Sequence, residues 1–309
     1  MVCLFPSIEH DQIQLGINEN RRTKYEILRS FSITQFIVDG SPSGVTPLSS
    51  FQVFVWNEER GLVPTVATES DLKVADSWLV SDGYVYGLAL HKLRFFQACR
   101  HIIQGIHPPL ELELFWQAVL EKLPRQGRWF PRVELAWKSN LQLFLRLRPA
   151  PSVQETARVW IENHFDPRRT PRRKGPDLTS LAELRHRAMT KGANEALLVT
   201  PSGIVQETSS SSILWWKGDT LCTPSPSLRI LPSITVNLIQ QMAYEMGVHT
   251  VFRKTPLSEL EGLEVWLANS LHGIRPVVQW VGNSPSITAG PVQKAPLWQR
   301  MLHARAQLL

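Results

Sequence analysis

Hydrophobic and polar residues alternate at the spacing of β-strands in the first third of the chain. Residues 51–56 form one such run, and residues 76–80 and 84–90 form two more that are separated by Ser81-Asp82-Gly83. Because Asp-Gly readily supplies the positive φ angles of a tight two-residue turn, this spacing predicts a β-hairpin.

The spacing of apolar residues then becomes helical. Residues 91–106 and 110–122 predict two helices, and an alternating run over residues 134–148 predicts one strand. The segment Arg148-Pro149-Ala150-Pro151-Ser152 is typical of a linker. We therefore predict three parts: an N-terminal extension at 1–50, a smaller α+β domain at 51–150 and a larger domain at 151–309.

The second half of the chain alternates short strands with helices whose ends are marked. Ser180-Leu181-Ala182-Glu183 has the spacing of a capping box, and Gly192 can end the helix that follows it. Another helix is predicted over residues 233–246. The predicted strands are 195–200, 204–208, 213–216, 220–223 and 265–268.

Composition narrows the class of protein. With 309 residues, 43% hydrophobic and 19% charged, the chain is expected to be globular with a substantial core. No apolar run approaches the ~20 residues that cross a bilayer, and the first residues lack the regions of a secretory signal. The three cysteines are far apart, which favours a reducing cytoplasm and gives no disulfide framework or metal site.

The net charge of +6 is compatible with an anionic ligand. The densest basic run, residues 168–174, is typical of a solvated face. A nucleic-acid-binding function is not expected, because no basic patch is interleaved with aromatic residues and no known module is present.

Lys174 is the first candidate for chemistry. A lysine is a nucleophile only when neutral, which its usual pKa of about 10.4 prevents at neutral pH. Burial and cationic neighbours, here Arg172 and Arg173, both favour the neutral amine. The alternative is an ordinary surface lysine.

Three further segments could bind a ligand. Residues 231–235 form a turn that enters a helix, where Ser233 either helps to hold a phosphate or simply caps the helix. Ser270 follows a buried strand and either reaches a ligand or lies in a turn. Glu207 is a lone carboxylate in a hairpin, with either a buried partner or an edge position facing water.

His91 and Arg94 open a predicted helix near the first hairpin. The guanidinium of Arg94 could make paired hydrogen bonds to a phosphate. His91 is more typical of a structural hydrogen-bonding residue than of a catalyst.

Taken in order, these residues resemble the class IV aminotransferases, the fold type IV pyridoxal-phosphate enzymes. That family includes branched-chain aminotransferase, D-amino-acid transaminase and aminodeoxychorismate lyase. The resemblance covers residues 51–290 and is strongest over 174–277. The matching motifs are Lys174 with Gly192-Ala193-Asn194-Glu195-Ala196, the 203–209 turn that holds Glu207, Thr223-Pro224, Leu231-Pro232-Ser233-Ile234-Thr235, Ser270 with Pro276-Val277, and His91–Phe95.

The chain departs from the family pattern at several positions. Ser233 stands where the family usually has Gly, and Val236 where it usually has Arg. The Gly-Asp-Gly-x-Phe-Glu element of the family is not recognisable around residues 71–77, and residues 1–50 have no counterpart. These departures suggest a divergent subgroup.

The resemblance implies a two-domain α+β fold, with a smaller N-terminal α/β sandwich domain and a larger C-terminal pseudo-barrel domain. It also implies pyridoxal 5'-phosphate as cofactor, amino acid and 2-oxo acid substrates, and a homodimer. Lys174 would bind the cofactor covalently and move the proton at the substrate α-carbon, and Glu207 would pair with the pyridine nitrogen. The remaining implied ligands are Arg94, Ser233, Ile234, Thr235 and Ser270 around the phosphate, and Leu231 against the ring.

Substrate recognition is assigned by the same resemblance to an arginine on a first-domain strand. Arg132 stands near the matching place, and Arg128, Arg146 and Arg148 are alternatives. Three functions remain open at this point: an aminotransferase, a lyase of the aminodeoxychorismate type, and a non-catalytic descendant. The first is preferred, because the motif pattern is shared most widely among aminotransferases.

Overall fold

The computed structural model describes residues 51–67, 70–105, 110–161, 166–282 and 287–309. The N-terminal extension predicted at residues 1–50 lies outside the described residues, which begin at residue 51. The described chain is a mixed α/β protein with five α-helices and three β-sheets.

The first half carries eight strands and two helices. In chain order they are β1 (Gln52–Asn57), β2 (Gly61–Thr65), β3 (Asp71–Ser77), β4 (Val80–Ser81), β5 (Tyr84–Val85), α1 (Leu88–Ile103), α2 (Leu112–Lys122), β6 (Arg128–Trp129), β7 (Arg132–Trp137) and β8 (Leu141–Leu147). The second half carries β9 (Ala157–Trp160), α3 (Leu178–Thr190), β10 (Glu195–Val199), β11 (Val205–Thr208), β12 (Ser212–Lys217), β13 (Thr220–Pro224), α4 (Ile234–Glu245), β14 (Thr250–Arg253), a 3-10 helix (Leu257–Leu260), β15 (Val265–Asn269), β16 (Gly273–Val281), α5 (Ala295–His303) and β17 (Gln307–Leu308).

A five-stranded antiparallel sheet, in the order β2-β1-β8-β7-β3, organises the first half. Alternate residues of β7 face opposite sides of this sheet. Val133 and Leu135 are buried in the core that α1 and α2 complete with Phe95 and Phe115. The intervening charged residues of β7 therefore lie on the face that turns away from these helices.

An eight-stranded curled sheet, in the order β11-β10-β9-β16-β15-β12-β13-β14, organises the second half. β9 pairs in parallel with both β10 and β16, whereas β12, β15 and β16 pair in antiparallel fashion. One core of this half packs α4 and α5 around the mutually contacting rings of Trp216, Trp266 and Trp298. The expected α+β fold with a smaller first and a larger second part agrees with this architecture.

The two halves are also joined away from the linker. A small four-stranded sheet, in the order β17-β5-β4-β6, brings the end of the chain back to the first half. The strands of the five-stranded sheet all precede residue 150, and those of the eight-stranded sheet all follow residue 156. The predicted boundary at 150/151 remains a prediction.

Local signals were correct at several places and wrong at others. The Asp82-Gly83 turn is confirmed, since both residues have positive φ angles, +49° and +80°. The strand predicted over 84–90 is too long, because α1 already begins at Leu88. The single strand predicted over 134–148 is wrong, since β7 and β8 form a hairpin there.

The predicted capping box is also wrong. Helix α3 begins three residues earlier than expected, with Asp177 as its N-terminal flanking residue. The carboxylate of Asp177 accepts hydrogen bonds from the backbone amides of Arg169 and Thr170, at 2.9 and 2.8 Å, and so fixes the segment that leads to Lys174. Gly192 follows the helix with φ +83°, as its position predicted.

None of the helices in the described part of the chain is both long and apolar enough to cross a membrane.

Candidate active site

Lys174 lies against the edge strand β3 of the first sheet. Its carbonyl oxygen accepts a hydrogen bond of 2.8 Å from the amide of Ala75. The next residue, Gly175, has φ +142°, and a Cβ atom there would lie only 3.0 Å from the Cα of Val74. A glycine is therefore needed for the lysine to approach the strand this closely.

The surroundings of Lys174 lower the pKa of its amine to about 8. Burial is the largest cause, and the positive charges of Arg94, Arg148 and Arg132 act in the same direction, against Asp76. Cationic neighbours are therefore present as expected. They are arginines remote in sequence, however, and the expectation that Arg172 and Arg173 supply them is wrong. Lys174 as a whole residue is neither fully buried nor fully exposed.

Asp76 is the central carboxylate beside this lysine. It is fully buried and accepts hydrogen bonds from Nε and Nη2 of Arg94, both at 2.8 Å, and from Nδ1 of His91 at 2.7 Å. Burial alone would raise the pKa of Asp76, but Arg94 and His91 outweigh it and hold the pKa well below its usual range. Asp76 is therefore an ionised carboxylate that fixes both side chains.

The predicted phosphate ligands come together at the start of α4. Nη1 of Arg94 donates a hydrogen bond of 2.9 Å to the carbonyl oxygen of Pro232. Ser233 caps α4 by accepting a hydrogen bond from the amide of Val236 at 3.3 Å, so the capping alternative holds for its side chain. The hydroxyl of Thr235 is buried without a hydrogen-bond partner among the described residues.

We call the group formed by Arg94, the start of α4 and Ser270 the phosphate cup. The segment after β15, which holds Ser270, forms one of its walls. The hydroxyl of Ser270 lies 3.3 Å from Nε2 of His91, and its carbonyl oxygen accepts a hydrogen bond of 3.3 Å from the hydroxyl of Tyr86. His91 and Arg94 are three residues apart on α1 and so lie on one helical face. The structure thus brings Arg94, the start of α4 and Ser270 to one place, and Ile234, the first residue of α4, is buried.

Glu207 lies at the end of β11 and is 5% exposed, so the buried alternative is correct. Its Oε1 accepts hydrogen bonds from the amide of Leu231, at 3.0 Å, and from Arg168. Burial raises the pKa of Glu207 to about 7, while Arg168 and the Leu231 amide oppose this effect. Its Oε2 makes no hydrogen bond to a described residue, so one oxygen is free for a ligand.

Arg168 lies in the site, although the sequence predicts a solvated face for the basic run 168–174. The guanidinium is buried, is paired with Asp166 at 2.8 and 2.9 Å, and donates to the carbonyl oxygen of Arg229 at 2.8 Å. Nothing in the local sequence distinguishes Arg168 from its basic neighbours. The expectation is therefore wrong for this residue.

Glu195 holds the loop that follows Glu207. It is fully buried and accepts hydrogen bonds from the hydroxyls of Ser209 and Ser210 and from Arg275, the last at 2.7 Å. The pKa of Glu195 is lowered: burial would raise it, and Arg275, Arg185 and the serine hydroxyls together outweigh that effect. Because the 208–211 loop is tied down in this way, the position of Glu207 at its base is fixed.

Arg132 belongs to a cluster of three arginines, two of which are paired with one carboxylate. Glu134 is buried and is paired with Nη2 of Arg132 at 2.5 Å and with Nε of Arg146 at 2.8 Å. Burial and the neighbouring guanidiniums of Arg132 and Arg146 lower the pKa of Arg148 to about 10. The cluster therefore has an excess of positive charge. Two of its members, Arg132 and Arg148, are near enough to Lys174 to lower the pKa of its amine.

A separate surface groove of about 620 Å³ lies beside α3, lined by residues that include Pro167, Glu183 and His186. It contains none of the predicted site residues. Within the described ranges, no group of three or more His, Cys, Asp or Glu side chains is arranged to hold a metal ion.

Comparison with known proteins gives one family match and many similar folds. The family model for amino-transferase class IV matches residues 73–280. No curated protein matches the chain.

Several solved structures share the fold at low identity. A hypothetical aminotransferase from Mycobacterium tuberculosis in a PLP-bound form is 16% identical, with TM-score 0.70 over 83% of this chain and 98% of that one. The branched-chain amino acid aminotransferase of Escherichia coli is 14% identical, with TM-score 0.68 over 82% and 93%. A putative 4-amino-4-deoxychorismate lyase from Legionella pneumophila is 18% identical, with TM-score 0.65 over 78% and 96%. At these identities the likeness shows the fold alone.

Proposed function

The chain belongs to the class IV aminotransferases, and from that premise we propose that it is a pyridoxal-phosphate aminotransferase, which exchanges an amino group between an amino acid and a 2-oxo acid. One observation carries the proposal. An amine of lowered pKa, Lys174, lies beside a cup of phosphate-binding groups, and Leu231-Pro232 connects that cup to the buried carboxylate of Glu207.

The residues present fit the cofactor. The unpartnered hydroxyl of Thr235 and the remaining N–H groups of Arg94 suit phosphate oxygens at the start of a helix. The free Oε2 of Glu207 suits a protonated pyridine nitrogen. When bound, pyridoxal phosphate supplies an electron sink that makes the α-proton of an amino acid acidic.

Each residue of the chain then has a role of its own. Lys174 holds the cofactor and afterwards carries the proton to and from the substrate α-carbon, for which a pKa of about 8 is well suited. Glu207 keeps a proton on the pyridine nitrogen. Arg168 and the Leu231 amide hold the other oxygen of this carboxylate and so fix its orientation.

Arg132 is proposed to bind the substrate carboxylate, with Arg146 and Arg148 beside it. Paired N–H groups of a guanidinium match a carboxylate in geometry as well as in charge. Glu134 pairs with the guanidiniums of Arg132 and Arg146, and that of Arg148 lies near enough to interact electrostatically with all three, so an anionic substrate would relieve the mutual repulsion of the arginines. A homodimer belongs to the same proposal and is checked by sedimentation.

A lyase of the aminodeoxychorismate type is the competing function, since one similar fold carries that name. The two reactions need the same lysine and carboxylate. An amino acid without added 2-oxo acid should convert the cofactor to its pyridoxamine form, which absorbs at about 330 nm. Release of pyruvate from aminodeoxychorismate without that conversion would identify the lyase instead.

The experiment that tests the proposal is an absorption spectrum of the purified protein. We expect a band at about 400–430 nm after addition of pyridoxal phosphate, which Lys174→Ala removes. Lys191→Ala is the matched control, because Lys191 is an exposed lysine just after α3. A colourless wild-type protein, or an unchanged spectrum in Lys174→Ala, would contradict the proposed role of the lysine.

A further inference from the structure

Three side chains, two of them fully buried and the third partly buried, join β3, α1 and the segment after β15 into one chain of hydrogen bonds. Asp76 Oδ1 lies 2.7 Å from His91 Nδ1, and His91 Nε2 lies 3.3 Å from Ser270 Oγ. Asp76 and His91 are both 0% exposed. The chain therefore leads from a buried carboxylate to the wall of the proposed phosphate cup.

The positions of the protons follow from what each group can do. Asp76 is ionised and can only accept, so the proton of His91 lies on Nδ1. Burial lowers the pKa of His91, with Asp76 opposing, and the imidazole is neutral at pH 7. Its Nε2 is then an acceptor, and the single proton of the Ser270 hydroxyl is donated to it.

This arrangement is unsuited to an anion. With its proton directed to His91, Ser270 turns only lone pairs toward the cup, where a phosphate oxygen would also present lone pairs. If Nε2 of His91 carried a proton, Ser270 would accept from it and donate its own proton to the phosphate. A second proton on His91 therefore changes the Ser270 hydroxyl from an acceptor to a donor toward the phosphate, and so adds one donor to those of Arg94, Thr235 and the start of α4.

An anion in the cup would change the balance at His91. Burial is the main cause that lowers the pKa of His91, and Arg94 and Lys174 act in the same direction, whereas Asp76 favours the cationic ring. A phosphate dianion adds two negative charges, and a cationic His91 balances one of them. The titratable and charged groups that face this imidazole are Asp76 of β3, Arg94 of α1 and Lys174 before α3, with the ring of Trp78 and the hydroxyl of Ser270.

We propose that the phosphate group of the cofactor binds together with one proton, which His91 takes up from solvent at Nε2, and that Asp76 is the positioning residue that makes this exchange possible. The inference rests on the proposed function, since it takes the cup to be the cofactor phosphate site. No bond of the cofactor is made or broken in this step. One proton leaves solvent and one imidazole becomes imidazolium.

The direct test is the nitrogen NMR signal of His91, assigned by comparison with His91→Asn. Without ligand we expect a neutral ring protonated at Nδ1, and with pyridoxal phosphate an imidazolium. Pyridoxal, which lacks the phosphate, should leave the ring neutral. A ring that stays neutral with the phosphate form, or that is protonated at Nε2 without ligand, would overturn the proposal.

Proton uptake is a second and independent measurement. At about pH 7.5, where most of the free phosphate is already a dianion, calorimetry in buffers of different ionisation enthalpy should give nearly one more proton taken up with pyridoxal phosphate than with pyridoxal. Ser270→Ala should lose most of this difference, and the matched control Ser258→Ala, an exposed serine of the 3-10 helix, should keep it. Equal uptake in wild type and Ser270→Ala would exclude the hydroxyl as the link.

Failure of this inference is distinguishable from failure of the proposed function. A protein that forms no band near about 420 nm with pyridoxal phosphate refutes the function. The same NMR titration with inorganic phosphate then decides the inference: conversion of His91 to the imidazolium supports it, and a neutral His91 at saturating phosphate overturns it. Asp76→Asn should weaken binding of the phosphate probe. If Asp76→Asn does not fold, Ser270→Ala gives the decisive result.

Discussion

The lowered pKa of Lys174 predicts how fast the cofactor-free protein takes up pyridoxal phosphate at different pH values. The reaction requires the neutral amine, and burial together with Arg94, Arg148 and Arg132 brings the pKa down to about 8. Raising the pH from 7 to 9 therefore converts most of Lys174 to its reactive form. The loading rate at saturating cofactor should rise and then level off.

The size of the effect follows from the two pKa values. At pH 7 about 10% of an amine with a pKa of 8 is neutral, against about 0.03% for the ordinary value of 10.5, a ratio of roughly 300. Between pH 7 and pH 9 the neutral fraction rises about 10-fold and approaches saturation. An ordinary lysine would gain about 100-fold over the same range and would continue to rise.

Stopped-flow absorbance at about 420 nm measures this rate. Arg148→Gln removes one of the cationic neighbours and should move the plateau to higher pH, whereas Lys191→Ala should leave it in place. A rate that climbs tenfold per pH unit up to pH 10 in the wild type would refute the assignment of a neutral, activated amine.

Three other residues give sharp expectations. Gly175→Ala should cost about 1–3 kcal/mol more in thermal unfolding than Gly203→Ala, since both have positive φ but only Gly175 would contact neighbouring backbone; equal losses would contradict this. Glu207→Gln should keep the cofactor band and lower the transamination rate roughly 100-fold in steady-state assays, and an unchanged rate would remove it from the mechanism. Arg275→Met leaves Glu195 buried without its cation and should cost about 3–5 kcal/mol in urea unfolding, so a loss below about 1 kcal/mol would argue against that ion pair.

The sequence predicted those parts of the fold that depend on local periodicity and on turn residues. The Asp82-Gly83 turn, the strand at 195–199 and the helix after Ser233 were all indicated by the chain itself. The β7–β8 hairpin was missed because Lys138-Ser139-Asn140 contains no Gly or Pro to interrupt an alternating pattern. β16 and α5 were also missed, although both pack in the core of the second half.

In the candidate site, too, some residues were predictable from the sequence and others were not. The order of motifs along the chain led to Lys174, Glu207 and the start of α4, because such residues are recognisable by type and spacing. Their partners were not recognisable. Asp76 lies 15 residues from His91, and Arg168 lies 39 residues from Glu207, with no pattern in between to connect them.

What the chain determined by itself is the kind of chemistry: a lysine, a carboxylate and a helix start in an order that indicates one family. Only the tertiary structure decided which groups are charged there, since the pKa of Lys174 depends on guanidiniums from α1, from β7 and from the segment after β8, and that of Asp76 on α1. The reason is physical. Desolvation and Coulomb interactions act through space over a few ångströms, and distance in space between remote residues is fixed by packing and not by local sequence.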